Sequence, residues 1–185
     1  MQVEQDETGN FNIRFGIHNP RCPDISNLFH FAIINLLYIV NKHDIILDNH
    51  SQIIKPVENV GDRGEANIQL LFYHLFKDCG MPQHYLNMNM KLDIGENIMQ
   101  YSTTVNEDIP DFITALPANI RQPKPLPITN MDLNVEFPGP GMASAVISFK
   151  IDSEHYGLRS QRDRMVKMIF KKMFSRLKEF IEKIT

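Results

Sequence analysis

Hydrophobic and polar residues alternate strictly in the segment FNIRFGI at residues 11–17. Asn12 and Arg14 fall on one face of this segment, and four apolar side chains fall on the other. The four are Phe11, Ile13, Phe15 and Ile17. A period of two residues is typical of a strand with one buried face, so the pattern predicts a strand here.

Two pairs of similar segments follow later in the chain. YLNMNMKLDI (85–94) and IMQYSTTV (98–105) flank the turn GEN, and MDLNVEF (131–137) and MASAVISFKID (142–152) flank the turn PGPG. Alternating segments joined by short turns predict hairpins. We therefore expect a sheet of about five antiparallel strands, with one solvated face and helices on the other.

Two helices are predicted before the first hairpin. DISNLFHFAIINLLYIV (24–40) is apolar around most of its circumference, and Asp24 is its expected N-cap. Asp62 and Glu65 resemble a capping box that opens a second helix, RGEANIQLLFYHLFKDC, which stops at Gly80. The segment QIIKPV between them is compatible with a short edge strand, because proline is not found in central strands.

A third helix is predicted at the C-terminus, where MVKMIFKKMFSRLKEF (165–180) is both apolar and basic. At 100° per residue its apolar side chains fill one half of the circumference, and Met168 alone among them lies with the charges. The other apolar side chains are Met165, Val166, Ile169, Phe170, Met173, Phe174, Leu177, Phe180, Ile181 and Ile184. We favour packing of this half on the sheet as its third covering helix.

These elements predict an α+β fold, with an antiparallel sheet of about five strands covered on one face by two to three helices. We expect one domain over residues 1–185. Within it, residues 1–10 are expected to be acidic and flexible, residues 106–130 a proline-marked irregular crossing, and residues 158–185 the basic C-terminal helix.

Composition adds a charge asymmetry and an expected location. The net charge is −3, but the last 28 residues carry nine Lys or Arg and three Asp or Glu, against ten and nineteen in the rest. The N-terminus MQVEQDETGN lacks the features of a secretory signal, and the apolar stretch Leu28 to Val40 is too short to span a bilayer. With two cysteines, Cys22 and Cys79, a cytoplasmic protein is expected, with membrane association as an alternative.

The basic face of the C-terminal helix is the main candidate site. An acidic body with a basic tail indicates an acidic partner, which would be nucleoprotein, nucleic acid or an anionic membrane surface. The side chains predicted to dock on that partner are Arg164, Lys167, Lys171, Lys172 and Lys178. Self-association is a further expectation, because the basic helix of one copy would face the acidic body of the next.

Catalytic alternatives rest on cysteine and histidine. Cys22 precedes a predicted helix start, and a histidine such as His18 is a candidate base for it. Two metal-ligating sets are also conceivable, namely His43, Asp44, Asp48 and His50, and His74, Cys79 and His84. A polar turn between apolar segments explains the first set equally well, and the second set lacks the spacing of a closed zinc site. We therefore predict a non-enzymatic protein without catalytic residues, cofactor or metal.

The order of elements resembles that of the matrix proteins of rhabdovirus-type negative-strand RNA viruses. The similar parts are FNIRFGIHNPRCPDISNLFHFAIINLL, YLNMNMKLDIGENIMQYSTTV and PANIRQPKPLPITNMDLNVEF. The resemblance implies a non-enzymatic protein that self-assembles and bridges a nucleocapsid to a membrane. This chain lacks the basic N-terminal arm and proline-tyrosine motif that many such proteins carry.

The function predicted from the sequence is a structural or interaction protein that self-associates and docks on an acidic partner, without an evident small-molecule substrate. The alternatives are a small cytosolic enzyme, using Cys22 or the His43–His50 cluster, and a regulatory domain whose amphipathic helix binds in the groove of a partner.

Overall fold

A computed structural model describes residues 1–6, 10–31, 52–60, 63–72, 74, 82–116, 122–151 and 159–184. The strands in these ranges are β1 (Gln2–Gln5), β2 (Asn10–His18), β3 (Gln52–Val60), β4 (Arg63–Leu71), β5 (His84–Ile94), β6 (Ile98–Val105), β7 (Lys124–Pro125), β8 (Ile128–Gly139) and β9 (Met142–Ile151). The helical elements are a 3₁₀ turn (Ile25–Phe29), α1 (Asp111–Thr114) and α2 (Arg159–Lys183).

One sheet joins all of these strands in the order β1-β2-β9-β8-β6-β5-β4-β3. Every pairing along this path is antiparallel, whereas the two-residue β7 pairs in parallel with the start of β5. The predicted α+β class, the antiparallel sheet and the C-terminal helix are confirmed. The predicted strand number was too low, because β1, β3, β4 and β7 were not counted.

Both predicted hairpins and the first predicted strand are present. The alternation of apolar and polar residues along these strands gives the sheet one apolar face. On β2, Phe11 and Ile13 are fully buried, and they pair with Phe149 and Ile147 of β9. Directly paired residues in an antiparallel sheet lie on the same face. We call the face that carries these side chains the inner face.

The second predicted helix is wrong over residues 63–71, which form β4 instead. Gly64, Ala66, Ile68 and Leu70 alternate with polar residues and point to the inner face, in register with β5. The remainder of that predicted helix, apart from Leu71, Phe72 and His74, lies outside the described residues. β3 is an edge strand, and its pairing shifts register between Ile54 and Pro56, as expected for proline in an edge strand.

The first predicted helix also differs from the structure in its described part. A 3₁₀ turn ends at Phe29, His30 is extended, and Asp24 makes no side-chain capping hydrogen bond. Residues 32–40 of that prediction lie outside the described residues. The expected flexible N-terminus differs as well, since Gln2–Gln5 pair with β2 as an edge strand.

The proline-marked crossing is partly ordered by the sheet. Where β6 ends, β7 takes its place beside β5: Lys124 N–H donates to the Gln83 carbonyl at 2.9 Å and Leu126 N–H to that of Tyr85 at 2.6 Å. Leu126 and Ile128 are then buried in the main core. The predicted irregular segment is therefore shorter than expected, because β8 already begins at Ile128.

Candidate functional site

Helix α2 covers one side of the inner face. Phe170 is completely buried, with its ring 4.7 Å from that of Phe149, and the Phe174 ring lies 6.1 Å from that of Phe15. These ring contacts fall on β2 and β9. The predicted apolar half of the helix therefore packs on the sheet, and Met168 is exposed as its position among the charges predicts.

The inner face carries different types of side chain near α2 and away from it. On β2 and β9 it carries phenylalanine, isoleucine and alanine, whereas on β5, β6 and β8 it carries four methionines among leucine, valine, tyrosine and threonine. We call Met88, Met90, Met99 and Met131 the methionine group; each is at most 8% exposed. Methionine side chains are flexible and adapt to irregular neighbours. This half of the face can therefore repack around an apolar guest more easily than the phenylalanine and isoleucine half.

Hydroxyl groups on the inner face are engaged by the backbone. Thr103 Oγ1 donates to the Met131 carbonyl at 2.6 Å and accepts from the Met131 N–H at 2.9 Å. The Tyr101 hydroxyl donates to the Phe29 carbonyl, and burial raises the pKa of Tyr101 above its ordinary value. Both side chains are uncharged at neutral pH, so this part of the face favours uncharged, apolar contacts.

One end of β5 carries a further buried polar side chain, His84. His84 is 4% exposed and belongs to the same alternating set as Leu86 and Met88. Burial, followed by the nearby His74 and Lys124, lowers the pKa of His84 from 6.5 to about 4. At neutral pH the imidazole is therefore uncharged. Lys124, the β7 partner of His84, is exposed, so His84 lies where the apolar face meets solvent.

The C-terminal end of α2 is held by β2 and the segment after it. Lys178 Nζ donates to the Gly16 carbonyl and pairs with Glu182 at 2.6 Å, and Glu182 accepts from the His18 N–H at 3.2 Å. Asn19, which is 1% exposed, donates from Nδ2 to two carbonyls at the end of the helix. This end of the helix is fixed to the sheet by polar contacts as well as by packing.

The five side chains predicted to dock on an acidic partner do not form one uniform surface. Arg164, Lys171 and Lys172 are exposed, whereas Lys167 is half-buried with Nζ 5.3 Å from the centre of the Phe11 ring. Lys178 is engaged by the sheet and by Glu182, as described above. Two of the five therefore serve the packing of the helix.

Of the cysteine and histidine candidates, His74 and His84 lie near enough for the charge of His74 to act on His84. Cys22 is half-buried as a free thiol in the turn after β2, and its backbone N–H donates to the Asn19 carbonyl at 3.1 Å. His43, Asp44, Asp48, His50 and Cys79 lie outside the described residues. Among the residues that the structure describes, no group of three or more His, Cys, Asp or Glu side chains is placed to hold a metal ion.

Comparison with known proteins identifies the fold. No protein-family model matches the chain, and no curated protein sequence matches it significantly. Among solved structures, human StAR-related lipid transfer protein 5 superposes with a TM-score of 0.60 at 9% identity, over 98% of this chain and 86% of that one. The lipid transfer and protein localization domain of human StarD13 (DLC2) gives 0.56 at 10% identity, over 95% and 78%.

A third solved structure with this fold is the di-domain ARO/CYC protein BexL. It gives a TM-score of 0.54 at 9% identity and matches 96% of this chain but only 50% of its own. The three likenesses show a common fold: an antiparallel sheet whose inner face is covered by a long C-terminal helix. At these identities they show the fold alone.

The comparisons with solved structures contradict the function predicted from the sequence. Self-association, a matrix-like role, docking on an acidic partner and the absence of a small-molecule ligand are all contradicted by a fold shared with lipid-transfer and ARO/CYC structures. The helix proposed to insert into a partner instead buries Phe170 and Phe174 in its own core. The resemblance of element order to matrix proteins is not tested by these comparisons and stays a prediction.

Some of the missed features had a signal in the sequence. His84 continues the alternation of Leu86, Met88 and Met90 by one step, which places it on the buried face of the strand. Asn19 had no local signal, because its partners in α2 are more than 160 positions away. The part of the chain that the structure describes contains no helix long and apolar enough to cross a membrane.

Proposed function

We propose that this protein binds a hydrophobic small molecule of the lipid class against the inner face of the sheet, on the methionine group beside helix α2. The observation that carries the proposal is the asymmetry of that face: a rigid phenylalanine and isoleucine half lies under α2, and the adaptable methionine group lies beside it. Two of the three solved structures named above bear lipid transfer in their names, which supports a lipid-class ligand.

Because the lining is apolar, we expect the ligand to be mainly hydrocarbon. Contact with apolar side chains contributes roughly 25 cal/mol for each Å² of apolar surface removed from water, so the affinity would come mainly from the hydrocarbon part of the ligand. The hydroxyls of Tyr101 and Thr103 are already bonded to the backbone and would add little. Small-molecule sites are commonly of this kind, mostly apolar with a few placed polar groups.

We also propose that the chain binds this ligand without converting it and that it does so in the cytoplasm, as one domain. A non-enzymatic character, a cytoplasmic location and a single domain were predicted from the sequence, and a binding protein needs no group beyond the lining described above. An ARO/CYC protein shares the fold, so ligand recovered from the protein should be checked for chemical change by mass spectrometry.

The test uses the purified full chain, incubated with vesicles of phosphatidylcholine containing radiolabelled oleyl alcohol and then separated by gel filtration. We expect the protein to retain about one labelled molecule per chain. Retention no greater than that of a control protein of similar size would overturn the proposal.

A matched pair of variants locates the site. Ala66 lies on the inner face as the register partner of Met90, and Glu65 precedes it on the opposite face with its side chain 57% exposed. Ala66→Phe places a ring among the methionine group and should weaken retention at least tenfold, whereas Glu65→Phe should change it less than twofold. Circular dichroism confirms that both variants fold. Equal effects of the two variants would argue against a site on the inner face.

A further inference from the structure

Two segments cover the inner face on neighbouring pairs of strands. Helix α2 packs on β2 and β9, as described above, whereas residues 25–31, which we call the strap, contact β8 and β6. The Phe29 ring meets that of Phe137 on β8 edge to face at 5.5 Å. The Phe31 ring meets that of Tyr101 on β6 in the same way at 5.8 Å. The strap therefore lies beside α2 and over the strands that carry half of the methionine group.

The methionine group is closed to solvent in this conformation. Each of its four side chains is at most 8% exposed, and Tyr101 on the same face is 1% exposed. The Tyr101 hydroxyl oxygen lies 3.9 Å from Met99 Sδ, so the group and the strap share this tyrosine as a neighbour. A ligand reaches a buried face only after a covering segment has moved away. Binding to the methionine group therefore requires an opening motion.

Helix α2 is the more firmly held of the two covers. Phe170 and Phe174 bury their rings against β9 and β2, and Lys178 and Asn19 add polar bonds at the end of the helix. Moving α2 would break all of these contacts together. The helix is therefore expected to stay on the sheet while a ligand enters.

The strap is anchored where it begins and is held more lightly at its far end. Gly141 N–H in the β8–β9 turn donates to the Pro23 carbonyl at 2.9 Å, just before the strap. At the far end the Tyr101 hydroxyl donates to the Phe29 carbonyl, beside the ring contacts given above. Between them lies a 3₁₀ turn of five residues, and Asp24 gives it no side-chain capping bond. Short 3₁₀ turns have poorer hydrogen-bond geometry than α-helices, and moving covers are drawn from such less stable segments.

We propose that the strap is the gate of the ligand site and that the hydrogen bond from Tyr101 to the Phe29 carbonyl is its latch. When this bond breaks, the strap turns away about its anchored start and uncovers Tyr101 and the methionine group. When the bond forms again, the strap closes the site. This inference rests on the proposed function and adds the control of ligand entry to it.

A latch of this kind acts on rates rather than on affinity. Opening precedes both entry and exit, so a change that eases opening in the free and in the ligand-bound protein raises both rates by the same factor. The loss of a lining residue acts differently, because it changes affinity mainly through the rate of exit. Entry and exit rates measured together therefore distinguish a latch from a lining residue.

The test follows radiolabelled oleyl alcohol as it passes from vesicles of phosphatidylcholine to the full chain, and from the loaded chain to an excess of unlabelled vesicles. Tyr101→Phe removes the latch and keeps the ring. We expect both rates to rise about fivefold, which is the effect of losing one net hydrogen bond, while the affinity stays nearly unchanged.

Two variants are the controls. Tyr85→Phe makes the same chemical change on the opposite face of the sheet, where Tyr85 belongs to a separate small core with Leu71 and Ile113. Lys178→Met removes the bonds from α2 to the Gly16 carbonyl and to Glu182 and leaves the strap intact. Both variants should exchange the label at nearly the wild-type rates.

The outcomes separate the latch from its alternatives. Wild-type rates in Tyr101→Phe, or an equal acceleration in Lys178→Met, would overturn the inference, the second because α2 would then be the moving cover. Weaker affinity at an unchanged entry rate would also overturn it, since Tyr101 would then only line the site. If the wild type itself retains no label, the proposed function fails instead.

A second variant decides if Tyr101→Phe does not fold. Phe31→Leu keeps the latch and removes the edge-to-face contact between the strap and the Tyr101 ring. Both rates should then rise about twofold or more, because such ring pairs contribute beyond their buried area. Rates equal to those of the wild type in Phe31→Leu would contradict a gate formed by the strap.

Discussion

The side-chain amide of Asn19 donates a hydrogen bond of 2.7 Å to the carbonyl of Ile181, 162 positions later in the chain. A second bond of 2.9 Å reaches the carbonyl of Ile184, and Asn19 Oδ1 accepts from the Arg21 N–H at 3.0 Å. The last carbonyls of a helix have no partner within the helix, so Asn19 satisfies two groups that α2 leaves open. The end of β2 and the end of α2 are thereby joined.

Asn19→Ala removes both of these bonds from a buried position. We expect the free energy of unfolding to fall by about 2 kcal/mol, because each net hydrogen bond contributes about 1 kcal/mol and buried carbonyls lose their donor. Urea unfolding followed by circular dichroism measures this. Asn130→Ala, at an exposed position, is the control and should change stability by less than about 0.5 kcal/mol. A loss at Asn19 no larger than at Asn130 would show that the cap contributes nothing.

The turn between β8 and β9 packs against the same junction. Gly141 has a φ of +67°, and a Cβ built there would lie 2.4 Å from the Asn19 carbonyl oxygen. Gly141 also accepts from the Asn19 N–H at 2.8 Å and donates to the Pro23 carbonyl at 2.9 Å. Only glycine fits this combination of left-handed backbone and close approach.

Gly141→Ala should therefore be strongly destabilising, by about 2 kcal/mol or more, since it adds both backbone strain and steric overlap. Gly139→Ala is the matched control in the same hairpin, because the nearest atom to its Cβ would be Met142 Sδ at an ordinary 3.9 Å. Thermal unfolding of the two variants gives the comparison. Similar melting temperatures for both would contradict the packing of this turn on Asn19.

Much of the fold follows from local periodicity, which is why those elements could be predicted. The strand around Phe11 and Phe15, both hairpins and the apolar half of α2 each repeat a period of two or of 3.6 residues over at least seven positions. In the structure, the apolar residues at these repeating positions are the buried ones. Phe11 on its strand and Phe170 on α2, for example, are both completely buried. Charge, in contrast, did not predict function, because part of the basic face of α2 serves its packing.

Strand β4 shows why other elements were missed. Its first inner-face positions are Gly64 and Ala66. Glycine has no side chain and alanine has only a methyl group, so the alternation of apolar and polar residues becomes visible only at Ile68 and Leu70. Asp62 before the strand and Glu65 within it suggested a helix start, and tertiary pairing with β5 outweighed that local preference. The junction at Asn19 could not be predicted, since it joins segments that are distant in sequence and carries no motif.

Packing of α2 on the sheet gives a further prediction. Phe170 is fully buried, with its ring 4.7 Å from Phe149 and 6.0 Å from Phe174. Phe170→Ala should lower the free energy of unfolding by about 3–5 kcal/mol, the usual cost of removing a core phenylalanine. Met168→Ala, two positions earlier and 44% exposed, should be nearly neutral. Equilibrium urea unfolding distinguishes them, and a small effect at Phe170 would show that α2 does not belong to the core.

The pKa of His84 makes stability depend on pH. The unfolded chain binds a proton at this residue near its ordinary pKa of 6.5, whereas the folded chain binds it only near 4. Between these values the unfolded state holds more protons, so folded stability falls as the pH drops through this window. At pH 5 the wild type should lose about 2 kcal/mol relative to pH 7.5 through this residue alone.

His84→Gln removes this contribution because glutamine does not titrate. The difference in free energy of unfolding between pH 7.5 and pH 5 should shrink by about 2 kcal/mol in the variant, since the other titrating groups act equally in both proteins. If His84→Gln and the wild type lose stability equally on acidification, then His84 takes up its proton as easily in the folded chain as in the unfolded one.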